Sequence, residues 1–103
     1  MKLYNTDFIT GVEFETLGLV MSNTIQTKNA FSDIGQAFKT LVGGELKAYS
    51  EMMEKARNIA VERIIEEATT MGADAIINVK FGTSSVMAGA AEILVYGTAV
   101  KFK

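Results

Sequence analysis

The chain has 103 residues, 49% apolar and 21% charged, with no cysteine, histidine, proline or tryptophan. That is enough for one small domain, residues 1–103, and leaves no length for a second. The absence of Cys and His removes the commonest metal ligands, the usual general base near neutral pH, every Cys/His or Ser/His/Asp nucleophilic arrangement and any disulfide scaffold. Ten basic and twelve acidic residues give a net charge of -2, without runs of one sign, so no track for a nucleic acid is expected. Asn5, Thr6 and Asp7 interrupt the start, and nothing later approaches the roughly 18 apolar residues of a membrane span. The expectation is a soluble cytoplasmic protein with neither nucleic acid nor membrane as partner.

From Phe14 to Thr27, Leu17, Leu19 and Met21 alternate with Thr16, Gly18, Val20 and Ser22, a strand pattern. Asp33 then precedes Ile34, Ala37, Phe38 and Leu41, whose spacing puts four apolar groups on one side of a short helix, and Gly43-Gly44 stops it. A longer helix is predicted from Glu45 to Met71, with Leu46, Tyr49, Met53, Ala56, Ala60, Ile64, Ala68 and Met71 on one stripe, broadened by Met52, Ile59, Val61 and Ile65. Gly72 ends it in the left-handed conformation wanted at a C-terminus.

A second strand is predicted from Ala75 to Phe81, where Ile77, Val79 and Phe81 alternate with Asn78 and Lys80. The small, almost uncharged segment Gly82 to Ala90 reads as a hairpin loop, and a third strand follows from Ala91 to Phe102. Both faces of that last strand are apolar: Ile93, Val95, Gly97 and Ala99 on one, Leu94, Tyr96, Val100 and Phe102 on the other. One helical layer covers only one face of such a sheet, and a second copy of the chain is the simplest cover for the other. Gly97 and Ala99, being small, mark the face a helix approaches, which assigns Leu94, Tyr96, Val100 and Phe102 to a subunit interface. The reverse assignment of faces is the alternative.

Leu17-Gly18-Leu19-Val20, Asn29-Ala30-Phe31-Ser32-Asp33-Ile34, Gly43-Gly44 with Tyr49 following, Ala56-Arg57, Gly72-Ala73-Asp74-Ala75 and Gly97-Thr98-Ala99-Val100 together resemble the YbjQ family of small bacterial and archaeal proteins, often labelled heavy-metal-binding. The likeness runs from about Ile9 to Phe102 and rests on the order and spacing of six short motifs. It implies an α+β fold of the dodecin-like type, a two-layer β-α-β-β subunit with an antiparallel-dominated three-stranded sheet in order 1-3-2, assembled as a homopentameric ring. It implies no assigned biochemical function. Two positions depart from the family pattern: a basic residue is usual where Ser32 stands, and Arg-Ser usually follows the paired glycines where this chain has Glu45-Leu46. An anion held by those basic groups in relatives would lose that contact here.

Candidate sites are few. Met52, Met53, Met71 and Met87 could offer thioethers to a soft ion, but such residues on an apolar stripe are ordinary packing groups, with Met87 in the loop the least explained. Glu62, Glu66 and Glu67, or Glu51 and Glu54, have helical spacing for a hard cation, yet exposed glutamates are usually solvated. No metal ligand set, cofactor or catalytic constellation is therefore assigned. Gly43 and Gly44 could turn backbone N–H groups toward an anion, although Glu45 places a negative charge there and a tight helix-to-helix turn explains the pair. Asp33 reads as a cap of the short helix, and Tyr49 as a buried ring close to the glycine pair. These four residues, Asp33, Gly43, Gly44 and Tyr49, are the candidate ligand site. Asp74 reads as a turn residue, and Thr83, Ser84 and Ser85 as hydroxyls that line water or a polar ligand rather than nucleophiles.

The expected function is that of a non-enzymatic homo-oligomeric binding or scaffold protein whose partner is itself. The alternatives are a metal- or small-anion-binding module with its site between subunits, and a small enzyme with an intersubunit site using Tyr49, Asp33 or Lys47.

Overall fold

A computed structural model of the chain describes residues 1–27, 42–87 and 90–103. The elements are β1 (Lys2–Leu3), β2 (Phe14–Thr27), α1 (Val42–Thr70), β3 (Ala75–Met87) and β4 (Ala90–Phe102). They form an α+β fold in which α1 lies over a four-stranded sheet of order β1-β3-β4-β2. The three long strands stand in the expected order. The fourth, β1, pairs parallel to the start of β3 and has no periodic signature because it is two residues long. It is held from outside by Tyr4 N–H on the Ile76 carbonyl at 2.8 Å and Val79 N–H on the Tyr4 carbonyl at 2.9 Å. The short helix expected around residues 33–41 lies outside the described residues.

The long helix starts at Val42, so Gly43 and Gly44 belong to its first turn rather than to an elbow ahead of Glu45. Its buried stripe is Met52, Ala56, Ala60, Ile64 and Ala68, spaced strictly by four. At about 100° per residue that spacing drifts around the helix, so traced back from Met52 the stripe passes to one side of Tyr49. Tyr49 is accordingly 55% exposed instead of buried. Three alanines in the stripe let α1 approach the sheet closely. Gly72 (φ +81°) ends the helix as expected: its N–H reaches the Thr69 carbonyl at 3.0 Å and the Ala73 N–H reaches Ala68 at 3.1 Å, the paired bonds of a Schellman cap.

The main core joins Ala56, Ala60, Ile64 and Ala68 of α1 to Val20, Ile76, Val79, Ile93, Val95 and Ala99 of the sheet. The face of β4 carrying Ile93, Val95 and Ala99 is therefore the helix side. Gly97 shares that face, and its nearest neighbours belong to β3. A Cβ there would lie 2.8 Å from the Ile77 carbonyl oxygen and 2.9 Å from Ile76 Cγ2. The cause is a bulge in β3, where Ile77 faces Thr98 and Lys80 faces Tyr96, so that Asn78 and Val79 together oppose Gly97. Asn78 takes φ 53° to do so, a left-handed conformation that Asn tolerates better than most residues.

A second bulge lies in β2, where Thr16 faces Val100 but Gly18 faces Ala99. Leu17 is the extra residue and packs with the helix-side core beside Val20. Alternation is thereby reset, and Leu19, Met21 and Ile25 fall on the side away from α1. Beyond Phe81, β3 continues to Met87, so most of the expected loop is strand; Thr83 faces Ile93 and Ser84 faces Glu92.

Candidate functional site

The side of the sheet away from α1 has two parts. At one end Ala75, Ile77 and Val100 form a small cluster covered by Tyr4, Ile9 and Phe14. Val100 is wholly buried there, so it is not a free interface residue: the chain's own N-terminal segment covers it. Phe102, opposite Phe14, stays 41% exposed.

The other part is open. Leu19, Met21 and Ile25 are 64%, 49% and 50% exposed. Met21 stands opposite Tyr96 and Asn23 opposite Leu94, and both β4 residues are half-buried. Leu94 and Tyr96, assigned from the sequence to an interface, thus lie on this open side with Leu19 and Met21, which alternation already puts on one face of their strand, and with Ile25. A polar group closes the patch: the Glu92 carboxylate accepts from Asn23 Nδ2 at 2.9 Å and from Ser84 Oγ at 3.2 Å. An apolar centre with a hydrogen-bonded rim is the anatomy of a protein contact surface.

On the helix side, α1 lies over β2 and β4 and barely reaches β3. Val79 and Phe81 of β3 border a depression of about 490 Å³ lined also by Leu3, Tyr4, Asn5 and Thr6. Phe81 is 48% exposed, and Lys2 Nζ sits 5.6 Å from the centre of the Tyr4 ring. Nothing in the periodicity announces this hollow, which depends on β1 docking and on the β3 bulge. Its polar lining is Tyr4, Asn5 and Thr6.

The other candidates are placed as follows. Asp33 lies outside the described residues, as does the side chain of Met87. Tyr49 stands exposed on α1, remote in sequence from any residue of either surface. Met52 is buried and Met53 packs on the main core, as packing groups do. Glu51, Glu54, Glu62, Glu66 and Glu67 are exposed. Among the described residues no group of three or more acidic side chains is placed to hold a metal ion; with no Cys or His in the chain, the described residues of one copy do not fit a heavy metal. Asp74 is the turn residue expected: its N–H reaches the Val100 carbonyl at 2.8 Å and its Oδ2 accepts from Phe102 N–H at 2.7 Å. Among the described residues no helix is long and apolar enough to cross a membrane.

Among the described residues the chain is an antiparallel-dominated α+β subunit in which a long helix lies over one side of a four-stranded sheet. The chain belongs to the YbjQ family, whose model, described as "Putative heavy-metal-binding", matches residues 1–103. It is 61% identical over 101 residues to a UPF0145 protein of Clostridium novyi, covering 98% of each chain. It is 60% identical over 102 residues to a UPF0145 protein of Alkaliphilus metalliredigens, covering 99% of each. A crystal structure of a protein of unknown function from Pediococcus pentosaceus, described as belonging to the DUF74 family, shares the fold with a TM-score of 0.71 at 14% identity, covering 98% of this chain and 96% of that one.

Proposed function

We propose that the protein is a non-enzymatic scaffold or binding subunit that works as a homo-oligomer, a pentameric ring in the cytoplasm, with neither nucleic acid nor membrane as partner. The observation that carries this reading is the open patch of Leu19, Met21 and Ile25 beside Tyr96 and Leu94. The shape accords with it: the radius of gyration is 16.9 Å, against about 13 Å for a compact chain of this length. The ring size follows the family likeness.

Native mass spectrometry of the untagged protein tests the reading, because one spectrum reports subunit number and any retained mass. A bare pentamer is the expected result. A monomer at micromolar concentration overturns it. A pentamer carrying a reproducible extra mass replaces the scaffold reading with that of a ligand- or metal-binding ring.

A further inference from the structure

We propose that the end of the sheet remote from β1, residues 22–27, 82–87 and 90–94, opens as a unit with the part of α1 above it while the rest stays folded, and that the buried hydroxyl of Ser22 sets how readily it opens. Such an opening lies within one copy, beyond the oligomer reading above.

The three long strands have 14, 13 and 13 residues, about twice the usual length, and their helix side changes character along the way. At the end near β1 it carries Val20, Ile76, Val79, Val95 and Ala99. The largest wholly buried side chains of the sheet, Ile76, Val20, Val95 and Val100, all belong to that near part. From Ser22 onward polar groups enter the same side. Ser22 stands opposite Val95 and Thr24 opposite Ile93, and Thr83 flanks Ile93 from β3.

Two of these hydroxyls are buried and poorly bonded. Ser22 Oγ has no hydrogen-bond partner among the described residues. Thr24, 4% exposed, accepts from Gln26 Nε2 at 3.5 Å, the long limit for such a bond. A dry, unbonded hydroxyl is a cost that opening relieves, since water then satisfies it.

The fastenings between segments gather at the other end. Tyr4 and Thr6 bond to β3, and Asp74 and Lys103 tie in the start of β3 and the end of β4. The bonds from Glu67 to the Met21 N–H and from Arg63 to the Asn23 carbonyl join α1 to β2 at the boundary. Among the described residues no hydrogen bond joins α1 to the sheet beyond Asn23. Sparse large apolar groups and few ties are the marks of a region that opens below the free energy of global unfolding.

Hydrogen exchange of the full chain tests this, read on β4, which is paired on both sides: residues 91–94 against residues 98–100. The parent is expected to exchange faster at 91–94. Ile76→Val weakens only the near part, so it is expected to speed exchange at 98–100 by about threefold to tenfold and leave 91–94 unchanged. Ser22→Ala is expected to slow exchange at 91–94 by roughly tenfold; Thr24→Val takes its place if that variant does not fold. Equal rates in the two parts of the parent, or an Ile76→Val protein that speeds both alike, overturn the separate unit. Unchanged exchange at 91–94 in Ser22→Ala overturns the role of the hydroxyl.

Discussion

Arg63 holds the edge of the strand it packs against: its Nη1 donates to the backbone carbonyl of Asn23 at 2.8 Å. One helical turn on, Glu67 Oε2 accepts from the Met21 N–H at 3.4 Å. β2 is the outer strand of the sheet, and an outer strand with free N–H and C=O groups invites pairing with another chain. Here the helix that covers the sheet also occupies part of that edge, through two side chains four residues apart on one face.

Replacing Arg63 with Ala should therefore do two things. It should lower stability in urea by about 1 kcal/mol, the usual net contribution of one such hydrogen bond. It should also raise concentration-dependent light scattering as the freed edge recruits strands. Unchanged scattering would show that Arg63 does not protect the edge.

Gly97 and Asn78 form the two halves of the β3 bulge. Gly97→Ala puts a methyl 2.8 Å from a backbone carbonyl and should destabilise by about 1–3 kcal/mol, the range for overpacking. Asn78→Gly keeps the φ of 53° without strain and should be neutral or slightly stabilising. Asn78→Val, with a branched side chain forced into that region, should lose roughly 1–3 kcal/mol. Thermal unfolding of the three variants gives the order; a Gly97→Ala protein as stable as the parent would mean that β3 shifts freely at this point.

Ile64 and Tyr49 separate the true stripe of the helix from the one that periodicity suggests. Ile64 is wholly buried, and Tyr49 is 55% exposed. Ile64→Ala should cost about 2–5 kcal/mol, while Tyr49→Ala should change stability by less than about 0.5 kcal/mol. Denaturant titrations with unchanged slopes would establish both values, and a large loss at Tyr49 would place its ring in a contact with another copy.

Much of this was legible from spacing. β2 runs from Phe14 to Thr27 as its alternation indicates, Gly72 caps the helix, and Ile93, Val95 and Ala99 separate cleanly from Leu94 and Tyr96. Those features depend on neighbours in the chain. Leu17 and Val79 do not: each enters the helix-side core only because one extra residue changes the strand's phase, and that residue is fixed by the register of β4. The burial of Val100 depends on Tyr4, Ile9 and Phe14, whose own sequence shows no period. The hollow beside Phe81 has the same origin, since Val79 and Tyr4 meet only through a bond between segments far apart in the chain. Gly97 was legible as a site of close approach, but the approaching group is the neighbouring strand.

The extra residue at Leu17 gives the length of β2 a meaning that its composition lacks. Removing Leu17 would leave Thr16, opposite Val100, and Gly18, opposite Ala99, in regular alternation, so Leu19, Met21 and Ile25 would keep their side of the sheet and the helix-side core would lose one apolar group. A single-residue gap between Phe14 and Gly18 in a relative would thus mark a straightened strand with the same outer face, and counting residues there is enough to find it.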